Sequence, residues 1–279
     1  MGLSGLGQGR RRITRSRVTL PPGGPPARGL LSAGLWRGVG SVLALGAVWA
    51  ALSLILADPL RAPAPWVVLP EMWTLLVQGD LRADLAVTLR RVVLTFGVSM
   101  VGGLLIGLAL GRWSRADRWF GPWLTLALNI PALVTIVLCY LWIGLNEWAA
   151  VMAVALNKIP LVAVMLREGV RVLDPDLMAM ARLHGMSRTE RLRHIILPQL
   201  APHLLAAARA GIALIWKIVL VVEFLGRPNG IGFKIHLDFQ MFDIAGVLAN
   251  ALTFALIMLA VELGIFAPLS ARVSRWRGP

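Results

Sequence analysis

Met180 to Pro198 reads MARLHGMSRTERLRHIILP, a polar, arginine-studded segment with one glycine near its middle and a proline at its end, in a chain otherwise largely apolar. Asp174 followed by Pro175 opens a helix: the carboxylate serves as N-cap, and the proline takes the first helical position, where no amide donor is needed. That helix runs to about His184, and Gly185 ends it in a left-handed turn. Ser187 and Glu190 then form an S-x-x-E capping box for a second short helix. On it Leu192, Ile195 and Ile196 fall within an arc of about 100°, while Glu190, Arg193 and His194 point away. Pro198 is expected to stop this helix and start the next apolar run. Residues 174–198 therefore read as two short amphipathic helices meeting at an angle. A loop resting on lipid headgroups is the plainer reading of the same arginines.

The surrounding chain of 279 residues is 57% hydrophobic and only 15% charged, with a mean hydropathy of +0.73, outside the range of soluble domains. In a soluble protein the net charge of +14 would suggest nucleic acid. Here Lys and Arg cluster between apolar runs, as a membrane topology signal does, so nucleic-acid binding is not indicated. The single cysteine, Cys139, lies inside an apolar run and reads as a small hydrophobe; no metal or disulfide spacing exists. Residues 1–35, rich in Gly, Pro and Arg, read as a disordered basic cytoplasmic tail. The run 36–57 is about 33 Å long as a helix, enough to cross a hydrocarbon core of about 30 Å, and no small-residue cleavage site follows it. It reads as a retained first transmembrane helix.

Further runs of spanning length occupy about 92–110, 122–143, 148–166, 200–224 and 245–267, giving about six spans in an all-α integral membrane protein. The N-terminal tail (Arg10, Arg11, Arg12, Arg15, Arg17, Arg28), the second-to-third connection (Arg112, Arg115, Arg118), the fourth-to-fifth connection (Arg167, Arg171, Arg182, Arg188, Arg191, Arg193) and the C-terminus (Arg272, Arg275, Arg277) fall on one side. The positive-inside rule makes that side the cytoplasm, with both termini there. Arg90 and Arg91 are the exception at the outer start of the second span, where snorkelling or pairing with Asp84 is expected.

In the second span Ser99, Gly103, Gly107 and Gly111 recur every four residues and present a small face on which another helix can pack closely. Ala206, Ala207, Ala210 and Gly211 repeat the idea in the fifth. Polar breaks carry more functional information: Asn129 with Pro131 lies mid-way along the third span, and Asn157, Lys158 and Pro160 mid-way along the fourth. Two readings of Lys158 stand at this stage: a structural pair with Glu223 or Glu262, or a lining residue of a solute path. Lys217 and Glu223, six residues apart in the fifth span, do not form an i,i+4 pair and join the candidate path. Two intramembrane lysines suit an anionic solute. No G-x-x-x-x-G-K-[ST], H-E-x-x-H or G-x-S-x-G motif is present, so ATP-driven transport would need the nucleotide site of another chain.

At this point the residues resemble the permease subunits of ATP-binding-cassette importers, in the nitrate, sulfonate and taurine branch. The family's signature is E-A-A, three residues, G, nine residues, then I-x-L-P. Ala181, Gly185, Ile195, Leu197 and Pro198 hold its third, glycine, isoleucine, leucine and proline positions, while Ala179 and Met180 replace the usual Glu and Ala. The resemblance covers about residues 84–277, including TLRRVVLTFGVSMVGGLLIGLALG, IPALVTIVLCYLWIGLNEWA and VVEFLGRPNGIGF. It implies a type I (MetI-like) permease fold with a core at 84–277, and coupling helices at 174–198 in which Ala181, Gly185, Ser187, Glu190, Leu192, Ile195, Leu197 and Pro198 seat on a cytoplasmic ATPase. It also implies two ATPase copies using ATP and Mg, a second permease subunit forming a homodimer, an extracytoplasmic solute-binding protein, contact with membrane lipid, and a multi-pass place in the inner membrane. No cofactor bound by this chain and no enzymatic activity are expected.

The outward loop Gly226–Phe233 (GRPNGIGF) reads either as a contact or gate for that binding protein or as ordinary turn chemistry. Two alternatives accompany this reading: an ion-driven secondary transporter, which usually shows an inverted repeat not detected here, and an importer permease for neutral or heterocyclic solutes. A membrane enzyme would need clustered acids, histidines or a nucleophile at one depth, and none is found.

Overall fold

The computed structural model describes residues 27–79 and 81–269, with backbone alone at 27–37, 39 and 78. Among the described residues the chain folds as α1 (Ala27–Leu56), α2 (Pro65–Gln78), α3 (Leu81–Arg112), α4 (Ser114–Asn129), α5 (Ala132–Ile143), α6 (Glu147–Arg171), α7 (Pro175–Leu183), α8 (Arg188–Arg191), α9 (Leu197–Gly226), α10 (Ile231–Gln240) and α11 (Ile244–Val261). Wide π turns at Leu192–Ile196 and Glu262–Phe266 follow α8 and α11. The chain divides after Trp49 into two units. The first contributes helical backbone up to Trp49, so residues 27–35 are helical where a disordered tail was expected; residues 1–26 of that tail lie outside the described residues. The second unit holds every side-chain contact discussed below.

Four helices are long and apolar enough to cross a membrane, Leu81–Arg112, Glu147–Arg171, Arg188–Gly226 and Ile244–Leu269, and α4 with α5 makes a fifth that is bent by 97°. These are the last five of the six expected spans. The first falls on α1, whose apolar part among the described residues is the shorter stretch Gly40–Leu56. Large side chains such as Val101 (59% exposed) and Leu105 (63%) stand on the outer face of α3, which suits a lipid solvent rather than water. Two elements were not anticipated. The run PWVVLPEMWTLLVQ is too short to cross and contains Pro70, yet it forms α2 against α11. The other is α10, which follows the GRPNG turn. At the α10–α11 corner, Asp238 accepts a hydrogen bond from Asn250 (2.8 Å), and burial pushes its carboxyl up despite that bond.

The small-residue face of α3 packs on α6 as expected. A Cβ at Gly103 would lie 2.4 Å from the Val162 Cβ, one at Gly107 2.7 Å from the Ala163 carbonyl oxygen, and one at Gly111 2.6 Å from the Val170 Cβ. Numbers rise together on both helices, so α3 and α6 run parallel. Helix α9 returns antiparallel: Gly169 faces His203 near its start, where a Cβ would come within 2.7 Å of the ring, while Thr88 meets Glu223 near its end. The second small-residue row is only partly used, since Ala207 and Gly211 are buried but Ala206 is exposed. Ile136, Val154, Ile215, Val222 and Phe254 fill the core between these helices.

The third span is broken rather than merely kinked. Pro131 supplies no amide donor, and α4 ends at Asn129, whose side chain donates back to the Thr125 carbonyl (2.7 Å). The Ile130 carbonyl left at the break accepts from Asn157 Nδ2 of α6 (3.3 Å). The two polar breaks seen in sequence thus meet in space. By contrast α6 stays one helix through Pro160. Pro198 also fails to stop its helix: Arg188–Gly226 continues through the π turn, with Leu197 N–H donating to the Leu192 carbonyl. The wide turn moves the carbonyl that a proline ring would strike and leaves the missing donor without a vacant partner.

Because the α3–α6 seam admits no side chain, Gly107→Leu is expected to cost about 1–3 kcal/mol or more. Thermal unfolding in detergent checks this; a midpoint equal to wild type contradicts the described packing.

Candidate functional site

At the end of the bundle where α6 begins, Arg91 of α3 is almost wholly buried, its side chain 2% exposed. A guanidinium has five donors in a fixed plane, and in a low-dielectric interior each needs an acceptor. Arg91 Nε and Nη2 donate to the two Glu147 oxygens (2.9 and 2.5 Å), Nη1 to Glu223 Oε1 (2.7 Å) and to the Asn229 carbonyl (2.9 Å), and Nη2 also to Asn229 Oδ1. Glu147 stands at the first position of α6, where the helix dipole favours a carboxylate. Glu223, with a 0% exposed side chain, also accepts from Thr88 Oγ1 (2.9 Å) and the Gly232 amide (2.9 Å).

The GRPNGIGF loop is the fourth side of this network. Gly230 N–H donates to Asp84 (2.7 Å) and Ile231 N–H to Thr88 Oγ1 (2.9 Å), so with Gly232 the first amides of α10 are capped by side chains of α3 and α9. Arg227 donates to the Leu145 carbonyl (2.9 Å) and Glu147 (2.8 Å), and Lys234 lies 3.7 Å from Asp84. The glycines are dictated by space: Gly230 has φ +102 and a Cβ there would sit 2.6 Å from the Glu223 carboxylate, while one at Gly232 would sit 2.3 Å from the Leu220 carbonyl oxygen. Arg91 therefore pairs with Glu147 and Glu223 rather than Asp84, because Asp84 is turned to the loop amides. Sequence reading missed Thr88, Glu147 and Asn229. The signal was available: Thr88, Arg91, Thr95 and Ser99 extend the α3 small-residue face upward at helical spacing.

At the opposite end, α7 and α8 form the anticipated hairpin. Asp174 caps α7 by accepting from the Asp176 and Leu177 amides (2.8 and 3.3 Å). Gly185 has φ +65, and Met186 N–H reaches back to the Ala181 carbonyl (3.0 Å), a Schellman-type end. Ser187 and Glu190 complete the capping box in both directions. Asp174 N–H donates to Gln199 Oε1 (2.9 Å), tying the start of α7 to the start of α9. Ala181 is buried at 1% exposure, Ile195 is half-buried, and Leu192 (48%), Leu197 (45%), Gly185 and Pro198 are exposed. The hairpin is thus internally fixed while presenting apolar side chains outward. Beneath it Asp117 of α4 binds Arg167 (3.0 Å) and Arg171 of α6.

The structure settles where the lysine candidates stand. Lys158 is buried within α6 and has no ion pair or hydrogen bond among the described residues. Both partners expected for it are engaged elsewhere, Glu223 by Arg91 and Glu262 by Arg209 (2.6 Å). Lys217 is exposed, with Nζ 5.5 Å from the centroid of the Trp216 ring. Asn129, Pro131 and Asn157 come together at the α4–α5 break, and Lys158 and Pro160 follow on α6. Among the described residues no hydrogen bond or ion pair brings Lys217 to them.

Residues 99–273 match the family described as binding-protein-dependent transport system inner membrane component. The chain belongs to this family. Among curated relatives it is 27% identical over 235 residues to the taurine transport system permease protein of Escherichia coli (strain K12), covering 82% of this chain and 85% of that one. It is 21% identical over 199 residues to the nitrate import permease protein of Synechococcus elongatus, covering 68% and 71%. The methionine ABC transporter MetNI, solved in inward facing conformations, matches in fold with a TM-score of 0.59 and 16% identity, over 73% of this chain and 98% of that one. The all-α membrane architecture of this permease family is therefore that of the chain, and its relatives are transport subunits rather than enzymes.

Disrupting the Arg91 network has a definite expected outcome. Arg91→Lys offers one point charge where a fork binds two carboxylates and a loop, and should destabilise by about 3–5 kcal/mol, close to Arg91→Ala, because both leave buried acceptors unmatched. Thermal unfolding of the two variants checks it; full stability of Arg91→Lys contradicts the geometry.

Proposed function

We propose that this family member is the membrane permease subunit of an ATP-driven importer for a small anion of the sulfonate, taurine or nitrate type. The observation that carries the coupling half of this reading is the hairpin at 174–198: its caps are satisfied within the chain, yet Leu192 and Leu197 are exposed. An apolar patch rimmed by arginines is a docking surface for another protein. In this reading Ala181, Gly185, Ser187, Glu190, Leu192, Ile195, Leu197 and Pro198 shape the seat of a cytoplasmic ATPase. Two ATPases binding ATP and Mg then draw two permease copies between inward-facing and outward-facing states. The positive-inside pattern puts the hairpin and both termini in the cytoplasm of an inner-membrane protein, and the Arg91 network at the outer face, toward a solute-binding protein.

The solute half is supported by Lys158, a buried cation with no counter-ion among the described residues, beside the broken α4–α5 span. Asn129, Pro131, Asn157, Lys158 and Pro160 form the core of the proposed path, with Lys217 as a more distant contributor. Glu223 enters it differently: held by Arg91, Thr88 and Gly232, it fixes the outer end of the bundle.

Reconstitution with the ATPase and the solute-binding protein tests both halves. Gly185→Leu, which forces a side chain into a left-handed turn at about 1–2 kcal/mol, should leave insertion intact and reduce both ATP-driven uptake and ATPase association. Lys158→Ala should reduce uptake while leaving ATPase association unchanged, with partial rescue by Lys158→Arg. Wild-type uptake and association in Gly185→Leu, or uptake by wild type driven by an ion gradient without ATP, would overturn the coupling reading; wild-type uptake in Lys158→Ala would overturn the anion reading.

A further inference from the structure

Helix α4 carries two faces of different chemistry. Asp117 turns toward α6, where Arg167 and Arg171 engage both its oxygens. Arg112, Arg115 and Arg118 remain exposed, and none forms an ion pair among the described residues. Arg115 and Arg118 lie one turn apart on α4 and border, with Trp119, an open surface recess. Further along the helix Trp119 (79% exposed), Phe120 (53%), Trp123 (71%) and Leu126 (69%) continue outward, and Phe120 and Trp123 meet edge-to-face at 5.9 Å. From Arg115 to Leu126 the helix rises about 17 Å and passes from charge through aromatic rings to aliphatic surface. The charged end sits where Asp117 meets Arg171, the last residue of α6, so it lies at the membrane surface, with the apolar end inside.

We propose that this face of α4 binds an anionic phospholipid, its phosphate between Arg115 and Arg118, its ester region against Trp119, and an acyl chain along Trp123 and Leu126, with Phe120 flanking Trp123. Charge complementarity favours a lipid over a protein: two cations with no carboxylate partner among the described residues stand above an aromatic and then aliphatic strip, in the order of a phospholipid's own groups.

The test uses the full chain purified in mild detergent, with lipid retention read by native mass spectrometry and unfolding followed with added phosphatidylglycerol or phosphatidylcholine. Wild type should retain phosphatidylglycerol selectively and be stabilised by it alone. Arg115→Gln/Arg118→Gln should lower that retention about thirtyfold, whereas Arg61→Gln/Arg82→Gln, which removes equal charge elsewhere, should not. Where the double variant fails to fold, Arg118→Gln alone serves, with about a fivefold loss expected. Equal retention of the two lipids, unchanged retention in the α4 variants, or protection of a Trp119→Cys label only when a second copy or the ATPase is added would overturn the proposal.

Discussion

A guanidinium placed inside a membrane bundle must be matched in several directions at once, and Arg91 is matched by three separate parts of the chain. Glu147 holds the start of α6, Glu223 the end of α9, and Asn229 the loop that leads into α10. None of these groups can leave without exposing a buried charge, so the network fixes the relative positions of α3, α6, α9 and α10 at one end of the bundle. Further down, the same face of α3 changes character. Polar Thr88 and Arg91 give way to Ser99 and then to Gly103, Gly107 and Gly111, which let α6 come to backbone contact. One helix face therefore supplies a polar lock at one end and close packing below it.

The opposite end is built on another plan. Its hairpin is shaped by local caps, a left-handed glycine and the Asp174–Gln199 bond, and it touches the rest of the chain mainly through its junction with α9. The continuous helix Arg188–Gly226 joins the self-contained hairpin to the Arg91 network through Glu223. The π turn at Leu192–Ile196 accommodates Pro198 within that helix without a break.

Much of this was legible in sequence. Hydropathy located the five later spans, the glycine row identified the α3 packing face, and the chemistry at Asp174, Gly185, Ser187 and Glu190 specified each cap of the hairpin, because those signals are local. The errors arose where the outcome depended on distant residues. Asp84 lies one turn from Thr88 and two from Arg91, yet it turns to the Gly230 amide; nothing nearby in sequence reveals that Glu147 and Glu223 take Arg91 instead. Of the two readings of Lys158, a pair with Glu223 or Glu262 fails because both carboxylates are held by arginines, which leaves the path-lining reading. Pro198 reads as a stop because a proline ring clashes in an α-helix, but a π turn removes the clash. Helix α2 was missed because its run is too short to span and contains a proline.

The central claim is that buried side chains from α3 and α9 hold the GRPNGIGF loop as part of the bundle. Amide hydrogen exchange at Gly230, Ile231 and Gly232 in the purified full chain tests it most directly, since these three N–H groups donate to Asp84, Thr88 and Glu223. Exchange as slow as that of interior amides of α3 is predicted. Exchange at the rate of an exposed loop would contradict the account.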